Sequence, residues 1–442
     1  MKRTLYVYVL LLIVFGSPLF AARQDSVKHK LDMDYRVSFR GGVMTNDLFG
    51  NDKLAKFCPT IKPTLGGEFA IAFHPDWKAL HEWNDASVGV ALSAYYLGNN
   101  EKLGYAIAPY AFLDVPLVRL PHFVLGLRLG LGVAFLTKTY FNTVPEGHEY
   151  IDMGYIAPDG TNLRANECIG SVFNFHFPEA LYLEFPIKNG WAITAGGGWY
   201  HFSNGSTIQP NTGYNIFAGE LGVRYVPTTN AELRPCWTKN PDGRKKNWEV
   251  ELAWTGAARQ VYYKDRQTFF GFTLQAAAYW RAHNVFRLGG GVDVFYDNSY
   301  MPRETKFGKT NVSAARANGA DCWRLGVSVQ PEFVVGKLTC GFHVGVYLLD
   351  GVKALEVGTS EDQAKYLTDA QRAEYAATGR VTKGIFYPYD LGNAGQGGHP
   401  DGWLYTQLVL RYHLPYHIFI QGNMKTHVSK VEFICLGVGA YL

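Results

Sequence analysis

A histidine and a serine stand two residues apart where a Gly-rich, strand-like run ends. The run covers Trp191–Tyr200, and His201-Phe-Ser203 follows it directly. Strand side chains alternate between two faces, so these two point the same way, roughly 6 to 7 Å apart along the chain. An imidazole at that distance can take the proton of a serine hydroxyl, the first requirement for a serine nucleophile. A bare His-x-Ser pair is more often a polar strand end followed by a loop, so the rest of the chain must decide.

The residues after this pair predict tight turns. Asn204-Gly205 follows the serine, and Pro210-Asn211-Thr-Gly213 comes a few residues later. Turn residues of these types leave backbone amides and amide side chains unpaired by regular structure. Such donors, aimed at one point, stabilise an oxyanion. The segment therefore has residue types suited to both the nucleophile and the oxyanion site of an acyl-transfer reaction.

The first 22 residues have the order of a secretory signal peptide. The charged pair Lys2 and Arg3 precedes an apolar run to about Phe15, and Ala21 or Ala22 is a suitable cleavage residue. The apolar run is too short to span a bilayer comfortably, and no stretch of about 18 apolar residues follows it. We therefore expect an exported chain that can enter a membrane only by strands.

The composition favours strands and argues against a nucleic-acid partner. Aromatic residues make up 15% of the chain and Gly contributes 48 of its 442 residues, whereas charged residues are only 18%. That charge content is low for a soluble protein. The net charge of +4 is too small to indicate nucleic-acid binding. The six cysteines form no C-x-x-C pair, so they indicate no zinc or redox site.

Alternating segments of about ten residues, separated by turn residues, recur from Asp34 to Leu442. There are about 16 of them, and this pattern without any strongly hydrophobic segment is typical of a transmembrane β-barrel. A large soluble β-sandwich or propeller is the competing interpretation. It accounts less well for the signal peptide, the low charge and a last strand that runs to the final residue. The sequence therefore predicts an all-β, antiparallel transmembrane barrel of about 14–16 strands, with two eight-stranded barrels in tandem as the alternative.

The connections between these segments alternate between long and short. Thr137–Gly170 is among the long ones and Lys188–Gly190 among the short ones. Long loops outside and short turns in the periplasm are expected of an outer-membrane barrel. Pro227–Lys246 should be a short turn but is about 20 residues long. We therefore predict a seam there, between an N-terminal half at residues 34–226 and a C-terminal half at residues 246–442.

A faint internal repeat links two triple-glycine runs. The segment Ala195–Asn204 resembles Leu288–Asp297, in which Val294 and Tyr296 replace the histidine and the serine. Neither glycine run is followed by Lys-Ser/Thr or opens a helix, so neither is a phosphate loop. Glycines inside barrel strands usually mark bends or close backbone approach. If the repeat is real, only its first copy can carry out chemistry.

The longer motif carries a family resemblance. His201-Phe-Ser203-Asn204, followed by Gln209-Pro210-Asn211-Thr-Gly213, resembles the active-site segment of the outer-membrane lipid A 3-O-deacylases, the PagL family. That family has an eight-stranded barrel with a His-x-Ser-Asn motif at the end of its seventh strand, which is where counting places His201. The resemblance covers about Asp34 to Val226. It implies a hydrolase that removes an ester-linked acyl chain from lipid A in the bacterial outer membrane, without a metal or other cofactor.

The resemblance also implies roles for individual residues. Ser203 would be the nucleophile and His201 the general base. Asn211 matches the Asn of the family's second half-motif and would donate to the oxyanion beside the backbone of Asn204 and Gly205. The implied partners are lipopolysaccharide, whose lipid A is the substrate, and the lipids of the outer membrane.

The chain departs from the family's pattern at one position. The family has a Glu two residues after the Gly of the second half-motif, and here Asn215 stands there as the third catalytic position. Its oxygen can orient the imidazole but cannot stabilise an imidazolium by charge, and a comparable Asp-to-Asn change in a serine protease costs roughly 10⁴ in rate. Glu220 has the opposite strand parity and should face away. His176 would lie opposite Ser203 if Asn189-Gly190 forms a two-residue hairpin turn. A histidine at such a strand position is more often structural than catalytic.

Two classes of function stay open. One is the lipid A deacylase, and the other is a non-catalytic outer-membrane barrel acting as a pore, a transporter or a structural protein. About 16 strands would enclose a water-filled lumen unless a loop such as Asp350–Gly402 plugs it. The directions of His201 and Ser203 discriminate between these classes. A hydrolase needs both on the lipid-facing side near the outer leaflet, and a packed interior position would exclude it.

Overall fold

A computed structural model describes residues 32–45, 53–75, 77–144, 164–227, 248–260, 268–283, 285–300, 322–350, 373, 404–427 and 430–442. The predicted signal peptide at residues 1–22 lies outside these ranges, as does the predicted plug segment except for Asp350 and Ala373. No described helix is long and apolar enough to cross a membrane.

The strands are β1 Asp32–Thr45, β2 Thr64–His74, β3 Ser87–Tyr96, β4 Tyr105–Leu120, β5 Phe123–Leu136, β6 Phe173–Pro186, β7 Trp191–Ser203, β8 Tyr214–Tyr225, β9 Trp248–Gln260, β10 Thr268–His283, β11 Phe286–Asp297, β12 Trp323–Val335, β13 Leu338–Asp350, β14 Leu404–His413, β15 Ile418–His427 and β16 Lys430–Tyr441. Short helices in the described connections are α1 Lys53–Phe57, α2 Lys78–Glu82, α3 Tyr140–Thr143 and a 3₁₀ turn at Asn298–Tyr300.

The strands form two closed antiparallel barrels, β1–β8 and β9–β16, which we call the first and the second barrel. β8 returns to pair with β1, with Tyr225 opposite Tyr35, and β16 closes on β9, with Tyr441 opposite Glu251. The all-β barrel prediction is confirmed, and its tandem form is the one present. The expectation of one large barrel is corrected. Alternation of side chains reports which face a residue occupies and not which strand it pairs with, so both arrangements have the same sequence pattern.

Each wall is apolar outside and polar inside. Along β1, Val37, Phe39 and Val43 are 54%, 59% and 64% exposed, whereas Arg36 and Arg40 are 9% and 2% exposed. This dyad pattern is the one required of a strand that has lipid on one face and a polar lumen on the other. A closed barrel also satisfies its backbone groups without water, as the membrane demands.

The lumen of the first barrel is filled by an ion-pair network centred on Glu68. Its carboxylate accepts from Arg40 at 2.5 Å and from Arg128 at 2.7 Å. Arg128 also contacts Asp114 at 2.7 Å, and Asp114 contacts Arg36 at the same distance. Burying a charge is tolerable only when it is paired and hydrogen-bonded. The network therefore ties several strands together through the barrel interior.

The lumen of the second barrel has a matching network centred on Glu332. Its carboxylate contacts Arg287 at 2.6 Å, Arg411 at 2.5 Å and His343 at 2.8 Å. All four side chains are 0–1% exposed. Eight strands enclose just enough space for side chains to fill. The water-filled lumen expected for a barrel of about 16 strands is therefore absent from the described part of the chain, because each barrel has half that number.

The two barrels contact each other at both ends. At the end opposite the His-x-Ser motif, the β2–β3 connection is longer than a tight turn and contains α2. Trp83, just after α2, donates its indole N–H to the Val334 carbonyl of the second barrel at 2.8 Å. Its ring packs edge-on against Phe333, with 5.6 Å between centroids. The second contact lies at the end where β7 finishes, which we call the motif end.

Candidate active site

Strands β7 and β8 bring His201 and Asn215 side by side. The two residues are direct partners in the antiparallel register, so their side chains share one face with Cβ atoms about 5 Å apart. Along β7 the burial alternates: Tyr200 is fully buried, whereas Ile193 is 47% exposed. His201 and Ser203 have the parity of Ile193. Both therefore stand on the outward wall of the first barrel, at the motif end.

Asn215 accepts hydrogen bonds from two neighbouring rings. Trp199 Nε1 lies 2.9 Å from Asn215 Oδ1, and His201 Nδ1 lies 2.8 Å from the same oxygen. An indole N–H can only donate, so the atom it meets must be the amide oxygen and not the amide nitrogen. His201 Nδ1 must then carry a proton and donate it. This leaves Nε2 as the nitrogen that can accept a proton from a hydroxyl.

Ser203 lies at the last position of β7, with two donors on its hydroxyl oxygen. Asn211 Nδ2 donates to Ser203 Oγ at 3.0 Å and the Gly205 N–H donates at 3.2 Å. These bonds use the two lone pairs of the oxygen, so its own proton stays free for an acceptor. Among the described residues that proton has one contact, a long 3.4 Å to Asn211 Oδ1. His201 and Ser203 thus share a face without being hydrogen-bonded, and Ser203 is 2% exposed.

The three residues predicted for the oxyanion site gather around Ser203 with different roles. Asn211 Oδ1 accepts from the Asn204 N–H at 3.0 Å. The Asn204 side chain turns away and donates to Ser171 Oγ at 3.0 Å and to a backbone carbonyl of its own turn at 2.9 Å. Its side chain therefore fixes the turn. The Gly205 N–H and the Asn211 amide are the donors that contact the serine hydroxyl.

Gly213 gives the imidazole room. Its φ of +76° lies in the left-handed region, which glycine adopts without steric cost. A Cβ atom at this position would lie 2.8 Å from the Phe202 carbonyl oxygen and 3.0 Å from His201 Cε1. The Gly of the second half-motif is therefore needed for its backbone conformation and for the close approach of the ring.

His176 faces the lumen and not the candidate site. Lys188–Gly190 forms a three-residue loop in place of a two-residue turn, with the flanking residues bonded across it. The register of β6 and β7 consequently places His176 opposite Phe202, and the two rings stack with centroids 4.5 Å apart. A shift of one residue moves a strand side chain to the other face. The prediction that His176 lies opposite Ser203 is therefore wrong.

Glu220 points into the lumen, as its strand parity predicted. Its carboxylate accepts from Arg40 at 2.5 Å and from the Tyr200 hydroxyl at 3.2 Å. The side chain that contacts the His201 ring nitrogen is the neutral amide of Asn215. Within the described ranges, no group of three or more His, Cys, Asp and Glu side chains is arranged to hold a metal ion.

Sequence reasoning missed the supports of this site. Trp199 shares the parity of His201 and could have been found from strand alternation. The side-chain oxygen of Gln209 accepts a hydrogen bond from the Asn211 N–H at 3.0 Å. The Gln-Pro-Asn sequence alone does not predict this local bond. Gln260, at the end of β9, reaches the same turn from the second barrel. No sequence signal indicates that contact, because it depends on how the two barrels lie against each other.

Two protein-family models match the chain. Residues 65–224 match the model of lipid A 3-O-deacylase (PagL), and residues 248–366 match that of the acyloxyacyl hydrolase C-terminal domain. The first match includes the whole segment from His201 to Asn215, and the two together cover more than half of the chain. The first match lies in the first barrel, and the second begins at the first strand of the second barrel.

Solved structures give more distant similarities. The outer membrane enzyme PagL is 16% identical, with 42% of this chain and 97% of that chain covered and a TM-score of 0.28. Neisserial surface protein A is 14% identical, with coverages of 44% and 96% and a TM-score of 0.25. The FrpB iron transporter from Neisseria meningitidis is 9% identical, with coverages of 93% and 69% and a TM-score of 0.24. No curated protein sequence matches the chain.

The family assignment rests on these two models, because they match strands β2–β8 of the first barrel and strands β9–β13 of the second. By these matches the chain belongs to the lipid A 3-O-deacylase (PagL) family and is a hydrolase of the outer membrane.

Proposed function

We propose that the chain hydrolyses an ester-linked acyl chain of lipid A, with Ser203 as nucleophile and His201 as general base. The observation that carries this proposal is the outward-facing group His201, Ser203 and Asn215 at the motif end of the first barrel. Polar side chains on the lipid-facing wall have no role in filling the lumen. Ser203 and Asn215 are only 2% and 5% exposed, so a lipid whose ester lies at the membrane boundary must approach this wall from the side and open the covering turn.

The tautomer of His201 suits it to act as a base. Nδ1 donates to Asn215, so Nε2 is free to take the Ser203 proton. Ser203 Oγ then attacks the ester carbonyl carbon, and a C–O bond forms as the carbonyl oxygen becomes an oxyanion. The Gly205 N–H and the Asn211 amide donate to Ser203 Oγ in the substrate-free chain. They are the nearest donors, and in the reaction they would turn to the oxyanion and stabilise its charge.

Release of products completes the cycle. When the intermediate collapses, the bond from the carbonyl carbon to the sugar oxygen breaks and His201 returns its proton to that oxygen. A water molecule then attacks the acyl-serine with His201 again as base. This releases the fatty acid and restores the Ser203 hydroxyl. Every proton transfer in this sequence passes through the imidazole.

Asn215 takes the place of a triad carboxylate in this mechanism. It orients the imidazole and fixes its tautomer, as a carboxylate would. It provides no negative charge for the imidazolium that forms during attack, which the carboxylate of a serine protease triad stabilises. We therefore expect a slow enzyme whose rate rises when a carboxylate is restored at this position.

Substrate binding must bring Ser203 and His201 into contact. The serine is buried and is not bonded to the imidazole in the substrate-free chain. Catalytic hydrogen bonds often tighten only when the substrate is present. A rotation of the His201 ring or a movement of the following turn must close the pair. Pore and transporter functions lose their main support, because paired charges fill both described lumens.

Variants of the two catalytic residues test the proposal. Ser203→Ala should abolish fatty-acid release, and His201→Asn should do nearly the same because the hydroxyl is a weak nucleophile without its base. Val294→Ala, at the matching position of the repeat in the second barrel, is the control and should behave as wild type. The measurement is mass spectrometry of lipid A from cells expressing each variant, normalised to folded barrel. Identical spectra for wild type and Ser203→Ala would remove the hydrolase mechanism.

A further inference from the structure

We propose that the second barrel positions the hydrolase site of the first, acting through Gln260. This inference rests on the proposed function and adds a role for the half of the chain that lacks the motif. The evidence is a chain of hydrogen bonds from β9 to the Ser203 hydroxyl. It runs through the turn between β7 and β8, residues 204–213, which we call the motif turn.

Gln260 contacts the motif turn with three groups. Its backbone N–H donates to the Ser206 carbonyl at 2.8 Å. Its side-chain oxygen accepts from the Gln209 N–H at 3.2 Å, and its own carbonyl accepts from Gln209 Nε2 at 3.3 Å. Gln260 is the last residue of β9 and is 8% exposed. Three directed bonds from one residue fix both the position and the rotation of the turn relative to the second barrel.

Gln209 links the contact with Gln260 to the residues that hold the Ser203 hydroxyl. Its side chain bridges the two barrels: Nε2 donates to Gln260 and Oε1 accepts from the Asn211 N–H at 3.0 Å. Asn211 in turn donates to Ser203 Oγ at 3.0 Å and accepts from the Asn204 N–H. A displacement of Gln209 would therefore move the amide that holds the serine hydroxyl. Hydrogen bonds linked in this way are coupled in energy.

A second set of contacts holds the strained part of the turn. Ser206 has a φ of +64°, a left-handed conformation that costs energy for a residue other than glycine. Its carbonyl is held by Gln260, and its hydroxyl donates to the Val431 carbonyl of β16 at 3.1 Å. Gly205, also left-handed at +62°, packs so closely on Ile434 that a Cβ would lie 2.2 Å from the isoleucine Cδ1. Strain of this kind persists where surrounding structure over-determines it, and here the second barrel supplies that surrounding structure.

Gln260 is a positioning residue in this account, since it touches the turn and not the reacting atoms. Its loss should lower kcat, because Ser203 and the Gly205 N–H become less well placed. It should leave KM unchanged, because the lipid-facing wall that binds substrate stays intact. One neutral hydrogen bond accounts for a decrease in kcat of about threefold to tenfold.

The experiment compares purified full-length variants on lipid A in mixed micelles. Gln260→Ala should show the decrease in kcat at constant KM, and a fluorophosphonate probe should label Ser203 more slowly by a similar factor. Gln260→Glu keeps an oxygen that accepts from the Gln209 N–H, so it should restore most of the rate. Trp83→Phe is the matched control. It removes the hydrogen bond between the barrels at the opposite end and should leave kcat unchanged.

A double-mutant cycle provides a second test that does not depend on Gln260→Ala alone. Gln209→Ala removes both side-chain bonds of the bridge and should lower kcat by at least as much. The double variant should lose less than the product of the two single decreases, because both changes loosen the same residue of the turn. Wild-type kcat in Gln260→Ala and Gln209→Ala, with Ser203→Ala inactive, would overturn the positioning role and leave the hydrolase intact. An equal decrease in Trp83→Phe would also overturn it, in favour of general docking of the barrels. A wild type as inactive as Ser203→Ala would overturn the proposed function itself.

Discussion

The two barrels have the same architecture and the same kind of interior, and they differ on their outer walls. Each lumen is organised by one glutamate that binds two arginines, Glu68 in the first barrel and Glu332 in the second. Within the described residues, a His-x-Ser pair with an acceptor opposite the imidazole lies on the outward face of the first barrel, as His201 and Ser203, and not on that of the second. The fold is therefore shared while the proposed chemistry depends on a few residues at one rim.

The internal repeat does not connect equivalent strands. It pairs the end of β7, the seventh strand of the first barrel, with the end of β11, the third strand of the second. On β11, Val294 lies opposite Leu274 on one side and Leu325 on the other. An imidazole at that position would have no oxygen to orient it. The comparison indicates that the neighbouring strand β8, and not the glycine run, distinguishes the site.

The largest expected effect tests the likeness of the two lumens. Glu68→Ala and Glu332→Ala each leave two buried arginines without a shared partner, and each should lower the free energy of unfolding by about 3–5 kcal/mol. Urea unfolding of barrels refolded in lipid vesicles would measure this. The exposed Glu101→Ala is the control and should change little. A large effect at one glutamate alone would show that the networks are not equivalent.

The next effect concerns Asn215, the acceptor opposite His201 in the first barrel. Asn215→Asp keeps the oxygen that binds His201 and adds a charge that stabilises the imidazolium, so kcat should rise by about tenfold or more. Asn215→Glu should act in the same direction. Asn215→Leu removes the acceptor and should lower kcat by about 100-fold. Steady-state deacylation of lipid A measures all three, and lost activity in Asn215→Asp would mean that the amide has a role of its own.

A smaller effect is expected at Gly213. A methyl group there meets His201 Cε1 and the Phe202 carbonyl, so Gly213→Ala should displace the imidazole and lower kcat by about tenfold. Gly197→Ala is the matched control on the same sheet. Its Cβ would point outward with its nearest neighbour 3.4 Å away, an ordinary contact. Equal rates for the two variants would show that the ring has more room than the structure indicates.

The smallest expected effect is none at all. Placing Val294→His and Tyr296→Ser together in the Ser203→Ala background recreates the spacing of the motif in the second barrel. Activity should stay at background, because Leu274 and Leu325 flank the new imidazole. Lipid A profiles would reveal any rescue. Restored deacylation would mean that His-x-Ser spacing on a barrel wall is sufficient without an orienting residue.

Sequence patterns predicted where the strands lie, but not which strands pair to close each barrel. The segment predicted from Trp191 begins where β7 begins, and the long connection after Pro227 falls between the two barrels. Whether β8 pairs with β1 or with β9 depends on long-range pairing, which alternation does not encode. The misplacement of His176 came from a single loop residue, since a three-residue loop shifts the register by one.

The motif named the residues proposed for the site, and the structure added their arrangement. The outward direction of His201 followed from strand parity. That Asn215 lies directly opposite it required the register of β7 and β8. The contact of Gln260 with Gln209 joins residues 51 positions apart across two barrels. No local preference specifies it, so it could only be found in the folded chain.

The most direct test of the central claim is to trap the acyl-enzyme. The purified chain is mixed with lipid A, quenched with acid and digested, and the peptides are analysed by mass spectrometry. We expect a fatty-acyl adduct on Ser203 in wild type, more of it in a variant with slower deacylation, and none in Ser203→Ala. An adduct on another residue, or release of fatty acid by Ser203→Ala at the wild-type rate, would contradict the claim that this serine on the outer wall of the first barrel is the nucleophile.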